Sequence, residues 1–262
     1  MKLNQKTIEQ LAELLENAEL QAHEVVKITD AHPDMDWDDA YAIQAEILRR
    51  KLARGNRVVG LKAGLTSRGK MKQMGVDTPV FGWLVDYFSV PDGGEIKTSE
   101  LIHPKVEPEI VFVTKRALKG PGCHIAAVLA ATDFVMPGIE IIDSRYKDFK
   151  FDLKSVIADN CSSTRFVLGG QLTPVTGLDL RTLGVVLEKN GEAVAIGAGA
   201  AVLGHPAAAI AALANHLGAR GEEIPAGTMI LSGGVTEAVA VSAGDNVTLR
   251  IQSLGSVSTR FI

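Results

Sequence analysis

Lys105-Val106-Glu107-Pro108-Glu109-Ile110-Val111-Phe112-Val113 is the stretch on which the fold turns. The β-branched and aromatic run from Ile110 reads as a strand, and in extended chain side chains two apart share a face, so Glu107 and Glu109 project together. A third glutamate follows inside another apolar run, Gly138-Ile139-Glu140-Ile141-Ile142-Asp143. A carboxylate without a partner is expensive to bury, so the pattern is either the wet side of two strands or a set of carboxylates gathered round a cation. Converging carboxylate oxygens with room for water suit Mg²⁺ or Mn²⁺ better than zinc. Pro108 has no N–H for a ladder and belongs on an edge or at a bulge, where sheets re-aim side chains.

Outward from this stretch, short apolar runs broken by Gly, Pro and Asp predict strands: Val58-Val59-Gly60-Leu61, Val80-Phe81-Gly82, Phe166-Val167-Leu168, Met229-Ile230-Leu231, 247–251 and 256–261. Asn190-Gly191 reads as the type I′ turn of a hairpin over 185–194. Residues 1–55 read instead as a helical segment. Thr7 and Gln10 suggest a capping box for a helix carrying Ile8, Leu11, Leu14 and Leu15, and a second helix begins after Asp36 and stops at Gly55. One further helix is expected over 206–217. Residues 56–262 then form a β-rich catalytic domain, and with so few helices between strands the class is α+β, not a doubly wound parallel sheet. Gly197-Ala198-Gly199 imitates a dinucleotide fingerprint but lacks its third glycine, so these glycines are expected to let backbone pass close by.

With 262 residues, 46% of them hydrophobic, the chain can bury a full core, and a net charge of −4 offers no basic field for nucleic acid. No run of about 18 uninterrupted apolar residues suggests a membrane span, and the N-terminus reads as an amphipathic helix, so a cytoplasmic protein is expected. Cys123 and Cys161 make no disulfide or zinc framework, and Cys161 is read as a small buried thiol rather than a nucleophile. No G-x-S-x-G or H-x-x-x-H spacing occurs. Lys62, set between glycines at a strand end, either snorkels to solvent or points into a cleft. Arg145 and Arg165 lie in Ser/Asn/Asp-rich segments and could meet an anion bidentately.

As a set, Lys62-Ala63-Gly64-Leu65-Thr66, Met74-Gly75-Val76-Asp77-Thr78-Pro79, Glu107-Pro108-Glu109, Glu140, Ala158-Asp159-Asn160, Leu203-Gly204-His205-Pro206 and Leu254-Gly255-Ser256-Val257 resemble the hydratase/decarboxylase family of the fumarylacetoacetate hydrolase superfamily. The likeness covers nearly the whole chain. Asp86-Tyr87-Phe88-Ser89-Val90-Pro91-Asp92-Gly93-Gly94 and Asp143-Ser144-Arg145-Tyr146-Lys147-Asp148-Phe149-Lys150-Phe151-Asp152 resemble that family's decarboxylases of aromatic meta-cleavage more than its hydratases. The resemblance implies a mixed, twisted β-roll with flanking helices, and Mg²⁺ or Mn²⁺ on Glu107, Glu109 and Glu140. It implies catalytic roles for Lys62 and Asp77, with Leu65, Asn160, Ser162 and Ser163 bordering the substrate. Arg145 is the candidate for an anionic group, and Trp83, Phe81, Val156 and Leu168 for an apolar wall. The implied substrate is a small 2-oxo dicarboxylate, 2-oxohex-3-enedioate, which loses its far carboxylate. A homo-oligomer and a complex with a homologous hydratase are expected. Rival readings are the hydratase itself, an acylpyruvate hydrolase, which lacks an obvious His–Glu pair, and a non-catalytic partner of the hydratase.

Overall fold

Asn4, not Thr7, caps the first helix: its side chain accepts the Thr7 N–H, and α1 runs Gln5–Leu20. Both residues are good caps, and the earlier start brings Ile8, Leu11, Ala12 and Leu15 onto one buried stripe. A short α2 (Ile28–Ala31) leads to α3 (Trp37–Ala53), which Asp36 and Asp39 open with a reciprocal capping box and which ends before Gly55 at φ 91°. α1 and α3 pack together as the helical segment. The computed structural model describes every residue except Asp77, and every side chain but those of Lys70, Gln73 and Met74 besides.

The chain then lays down β1 (Val58–Gly64), α4 (Arg68–Met74), β2 (Val80–Val85), β3 (Ser89–Val90), β4 (Glu95–Ile96) and the long β5 (Lys105–Thr114). After α5 (Ile125–Ala131) come β6 (Thr132–Ile142), α6 (Leu153–Ala158), β7 (Ser163–Leu168) and β8 (Thr173–Pro174). β9 (Gly184–Lys189) and β10 (Glu192–Ala198) form the expected hairpin, with Asn190 and Gly191 at φ 56° and 87° as a type I′ turn requires. α7 (Pro206–Gly218), β11 (Met229–Leu231), β12 (Val239–Ala240), β13 (Asn246–Ile251) and β14 (Gly255–Phe261) complete the chain.

The strands make two sheets. The larger runs β2-β1-β11-β5-β6-β7-β3, with β12 also beside β5 and β8 beside β6; the smaller runs β10-β9-β13-β14-β4. Parallel pairs β1–β11, β3–β7 and β4–β14 stand among antiparallel ones, so the fold is the mixed β-roll with flanking helices expected from sequence. β5 is buried on both faces, which explains its unbroken apolar run. Val106, Ile110 and Phe112 enter a core shared with the smaller sheet and α7, while Val111 enters a second core built with α1 and α3. Lys105, Glu107 and Glu109 lie on the Val111 face.

Two close contacts fix the layers. Gln44 of α3 donates to the carbonyls of Phe81 and Ile157, each at 2.9 Å, tying the helical segment to β2 and α6. At Gly199 a Cβ would stand 1.9 Å from the Leu180 carbonyl oxygen, the close backbone passage expected of that glycine pair. The stretch Gly199–Gly218 is long and apolar enough by composition to cross a membrane, yet only its last 13 residues form α7, and Ala207, Ile210, Leu213 and Ala214 of that helix sit in the core.

His216 of α7 lies against Tyr41 of α3 and Phe81 of β2, ring centres 4.8 and 4.9 Å away. Burial, and then the Arg220 guanidinium, push its imidazole from the usual 6.5 down to about 4. The unfolded chain therefore binds a proton that the folded chain refuses, so stability falls as pH drops from about 6.5 to about 4. Urea unfolding across that window should show this slope, and His216→Phe should flatten it.

Candidate metal centre and active site

The register of β5 and β6 sets Glu107 opposite Glu140 and Glu109 opposite Gly138, so three carboxylates share one face of one strand pair. One oxygen from each lies within 4.8 Å of the others, and Glu109 and Glu140 are fully buried. Like charges on facing rungs repel. Burial first, then Glu140 and Glu107, hold the Glu109 carboxyl well above the usual carboxylate range, against the pull of Lys62 and the Gly233 N–H.

Partial compensation comes from β1. Lys62, 2% exposed, places Nζ 2.8 Å from Glu140 Oε1 and donates to the Cys161 carbonyl at 3.1 Å. Burial pulls its ammonium down, but Glu140 foremost among the surrounding anions outweighs that and keeps it charged. The cleft reading of this lysine thus replaces the snorkelling one. From the segment that follows β11 the Gly233 N–H donates to Glu109 Oε2 at 2.6 Å. Gly233 takes φ 103°, and a Cβ there would stand 2.1 Å from Thr66 Oγ1, so only glycine brings this amide home. Among the described residues no hydrogen-bond donor serves Glu109 Oε1 or Glu140 Oε2. Orphaned, buried oxygens in an all-carboxylate set fit a hard divalent cation.

Pro108 sits where the cover of β5 is broken, between β11 on residues 111–113 and β12 on 105–106. Its carbonyl accepts the Val235 N–H at 2.9 Å, so the side lacking a proline N–H faces this loop and not β6, the local edge the sequence called for.

A cleft of about 730 Å³ opens over the carboxylates, lined by Lys62, Leu65, Thr66, Ser67, Val80, Lys105, Glu107, Phe149, Phe151, Val156, Cys161, Ser162 and residues 234–238. Leu65 and the consecutive Asn160, Cys161 and Ser162 all adopt left-handed backbone, φ 54°, 48°, 52° and 60°, a strain that structures tolerate mainly at functional sites. The Ser162 hydroxyl is buried and has no hydrogen-bond partner among the described residues. Burial, with Lys62 opposing it, pushes the Cys161 thiol up to about 12, which leaves it an inert wall.

Six residues expected at the substrate, Arg145, Asn160, Trp83, Phe81, Leu168 and Ser163, do not line this cleft. Arg145 is 2% exposed, and its guanidinium spends four of its five N–H groups on the Asp159 carboxylate, the Asp143 carbonyl at 2.6 Å, the Asp159 carbonyl at 2.5 Å and the Ser163 carbonyl at 3.2 Å, all inside the protein. Asn160 spends its amide on Trp83, accepting its N–H at 3.1 Å and donating to its carbonyl at 2.9 Å. Trp83 itself is core, as are Phe81 and Val167's neighbourhood at β7; Leu168 packs beside that core, and Ser163 opens β7 away from the cleft lining. Leu65, Ser162 and Val156 do line it, and Asp77 lies outside the described residues. Missed entirely were Lys105, Phe149, Phe151 and the 234–238 loop; the period of two that pairs Glu107 with Glu109 also points to Lys105.

Residues 69–262 match the fumarylacetoacetate (FAA) hydrolase C-terminal family. The chain is 67% identical to 4-oxalocrotonate decarboxylase of Pseudomonas sp. (strain CF600) over 252 residues, 96% of each chain. It is 41% identical to 2-hydroxyhexa-2,4-dienoate hydratase of Comamonas testosteroni over 256 residues, 97% of each. A solved 4-oxalocrotonate decarboxylase from Pseudomonas putida G7, complexed with magnesium and adipate, superposes with TM-score 0.98 at 60% identity, covering 100% of this chain and 99% of that one.

Because ligand binding to the folded state alone stabilises it, Mg²⁺ added to chelator-treated protein should raise the thermal midpoint by several degrees. Glu107→Gln should remove that rise while leaving the far-ultraviolet circular dichroism unchanged.

Proposed function

The chain belongs to the fumarylacetoacetate hydrolase family, and on that footing we propose that it decarboxylates 4-oxalocrotonate (2-oxohex-3-enedioate) to 2-hydroxypenta-2,4-dienoate and CO₂ with Mg²⁺. The observation that carries this activity is the convergence of Glu107, Glu109, Glu140 and Lys62 at one end of a cleft whose other walls include Val80, Phe151 and Val156. Full-length likeness to decarboxylases supports it.

The substrate is a vinylogous β-keto acid: the electrons of the breaking bond to the far carboxylate run through the double bond to the 2-oxo oxygen. Held by the three glutamates, a divalent cation supplies Lewis acidity at the 2-oxo acid end. Lys62 adds a fixed ammonium beside the same carboxylates, in a buried setting where charge is weakly screened. The apolar walls keep water out and accommodate the neutral CO₂ once it has formed. Leu65 and the buried Ser162 hydroxyl border the substrate. Asp77 keeps its proposed catalytic role from the sequence alone.

A homo-oligomer, a cytoplasmic setting and a working partnership with a hydratase belong to the same proposal; the support for the last is that the product is a substrate for hydration and that hydratases are relatives of the chain.

Purified protein with Mg²⁺ and 2-oxohex-3-enedioate should release CO₂ stoichiometrically with 2-hydroxypenta-2,4-dienoate. Hydration of the pentadienoate with no CO₂ from the dioate would overturn the assignment in favour of the hydratase. Lys62→Met should lower kcat by about 100-fold or more, the loss expected of a preorganised charge at a developing anion.

A further inference from the structure

We propose that Lys105 binds the second carboxylate of the substrate and so selects a dicarboxylate over a monocarboxylate, an inference that rests on the activity proposed above. Lys105 stands on the same face of β5 as Glu107 and Glu109, one pleat beyond them and opposite Ile142. Two residues of strand advance about 6.7 Å. The carboxyl carbons of an extended six-carbon dioate lie about 6 Å apart, across five carbon–carbon bonds of roughly 1.5 Å. One end on the glutamate side therefore brings the other end to Lys105.

The side chain is placed for this task. Its Nζ lies 3.9 Å from the centre of the Phe149 ring, and both residues line the cleft. Phe149 is itself braced by His103 and Phe151, ring centres 5.0 and 5.9 Å away. The turn that presents it holds Asp148 and Phe149 both at φ 57°, a costly backbone for two successive residues with side chains. A cation over a ring keeps its N–H donors free for an anion. Among the described residues no carboxylate forms an ion pair with Lys105; Glu237, also in the cleft wall, is exposed and makes none with it. Lys62, the other cation in the wall, is already engaged with Glu140 and the Cys161 carbonyl.

Because the second carboxylate leaves as neutral CO₂, the contact belongs to the bound substrate and weakens towards the transition state. Losing it should raise KM without lowering kcat, and should change kcat/KM less than KM itself. The test is calorimetric binding of 2-oxohexanedioate and 2-oxohexanoate to the Mg²⁺-loaded protein. In Lys105→Met, which keeps the stem over Phe149, the dioate should bind about tenfold or more weakly while the monoacid changes by less than about twofold. Lys105→Arg should restore most of the dioate affinity. Equal weakening of both acids, or no change in either, overturns the proposal. A wild-type protein that releases no CO₂ defeats the activity; one that does, with an unchanged dioate-to-monoacid ratio in Lys105→Met, defeats only the role of Lys105.

Discussion

Three carboxylates on one face of the β5–β6 pair, two of them sealed from water, are a charge problem that the rest of the fold is arranged to contain. Glu107 and Glu140 occupy facing rungs, where like charges repel, and the surrounding core offers little dielectric relief. Among the described residues, the Lys62 ammonium reaches Glu140 and the Gly233 amide reaches Glu109. Neither completes the hydrogen bonding of Glu109 Oε1 or Glu140 Oε2. Those two orphaned oxygens are what separate this arrangement from an ordinary buried ion pair.

Each supporting element can be traced to this need. β1 runs parallel to β11 so that Lys62 pairs with Leu231, immediately before the segment that carries Gly233. Pro108 silences the one edge of β5 where the loop over residues 233–235 must approach, and leaves its carbonyl to hold Val235. The helical segment contributes no cleft wall of its own, yet through Gln44 it grips β2 and α6 on either side of the strained turn at 160–162.

Local chemistry was readable in the sequence wherever a few adjacent residues decide the outcome. The Asn190-Gly191 turn, the Asp36 cap, the stop at Gly55 and the shared face of Glu107 and Glu109 all depend on neighbours within a turn or a pleat. Joining Glu140 to that pair required a strand register, which spacing alone does not specify and the family resemblance supplied. Where partners are distant, residue type misled. Arg145 is bidentate as expected of an arginine, but towards Asp159 and backbone carbonyls rather than a ligand, and Asn160 turns its amide inward on Trp83. Nothing in a Ser/Asn/Asp-rich segment tells which of its polar groups the fold consumes. Phe149 and Phe151 sat in the most distinctive string of the chain and went unplaced, because a short aromatic turn carries no period.

The turn at Asn160, Cys161 and Ser162 carries three successive residues in a conformation that each would abandon if released. Its Cys161 carbonyl steadies the Lys62 ammonium, so the position of the charged group and the tension in the turn are one mechanical quantity. A substitution on the remote surface of α3 that slackened the Gln44 clamp would let that turn relax, and the ammonium would drift from the carboxylates with no change to any residue of the cleft. Activity in this protein is thus exposed to damage from its periphery, along a load path from helix to strand to loop.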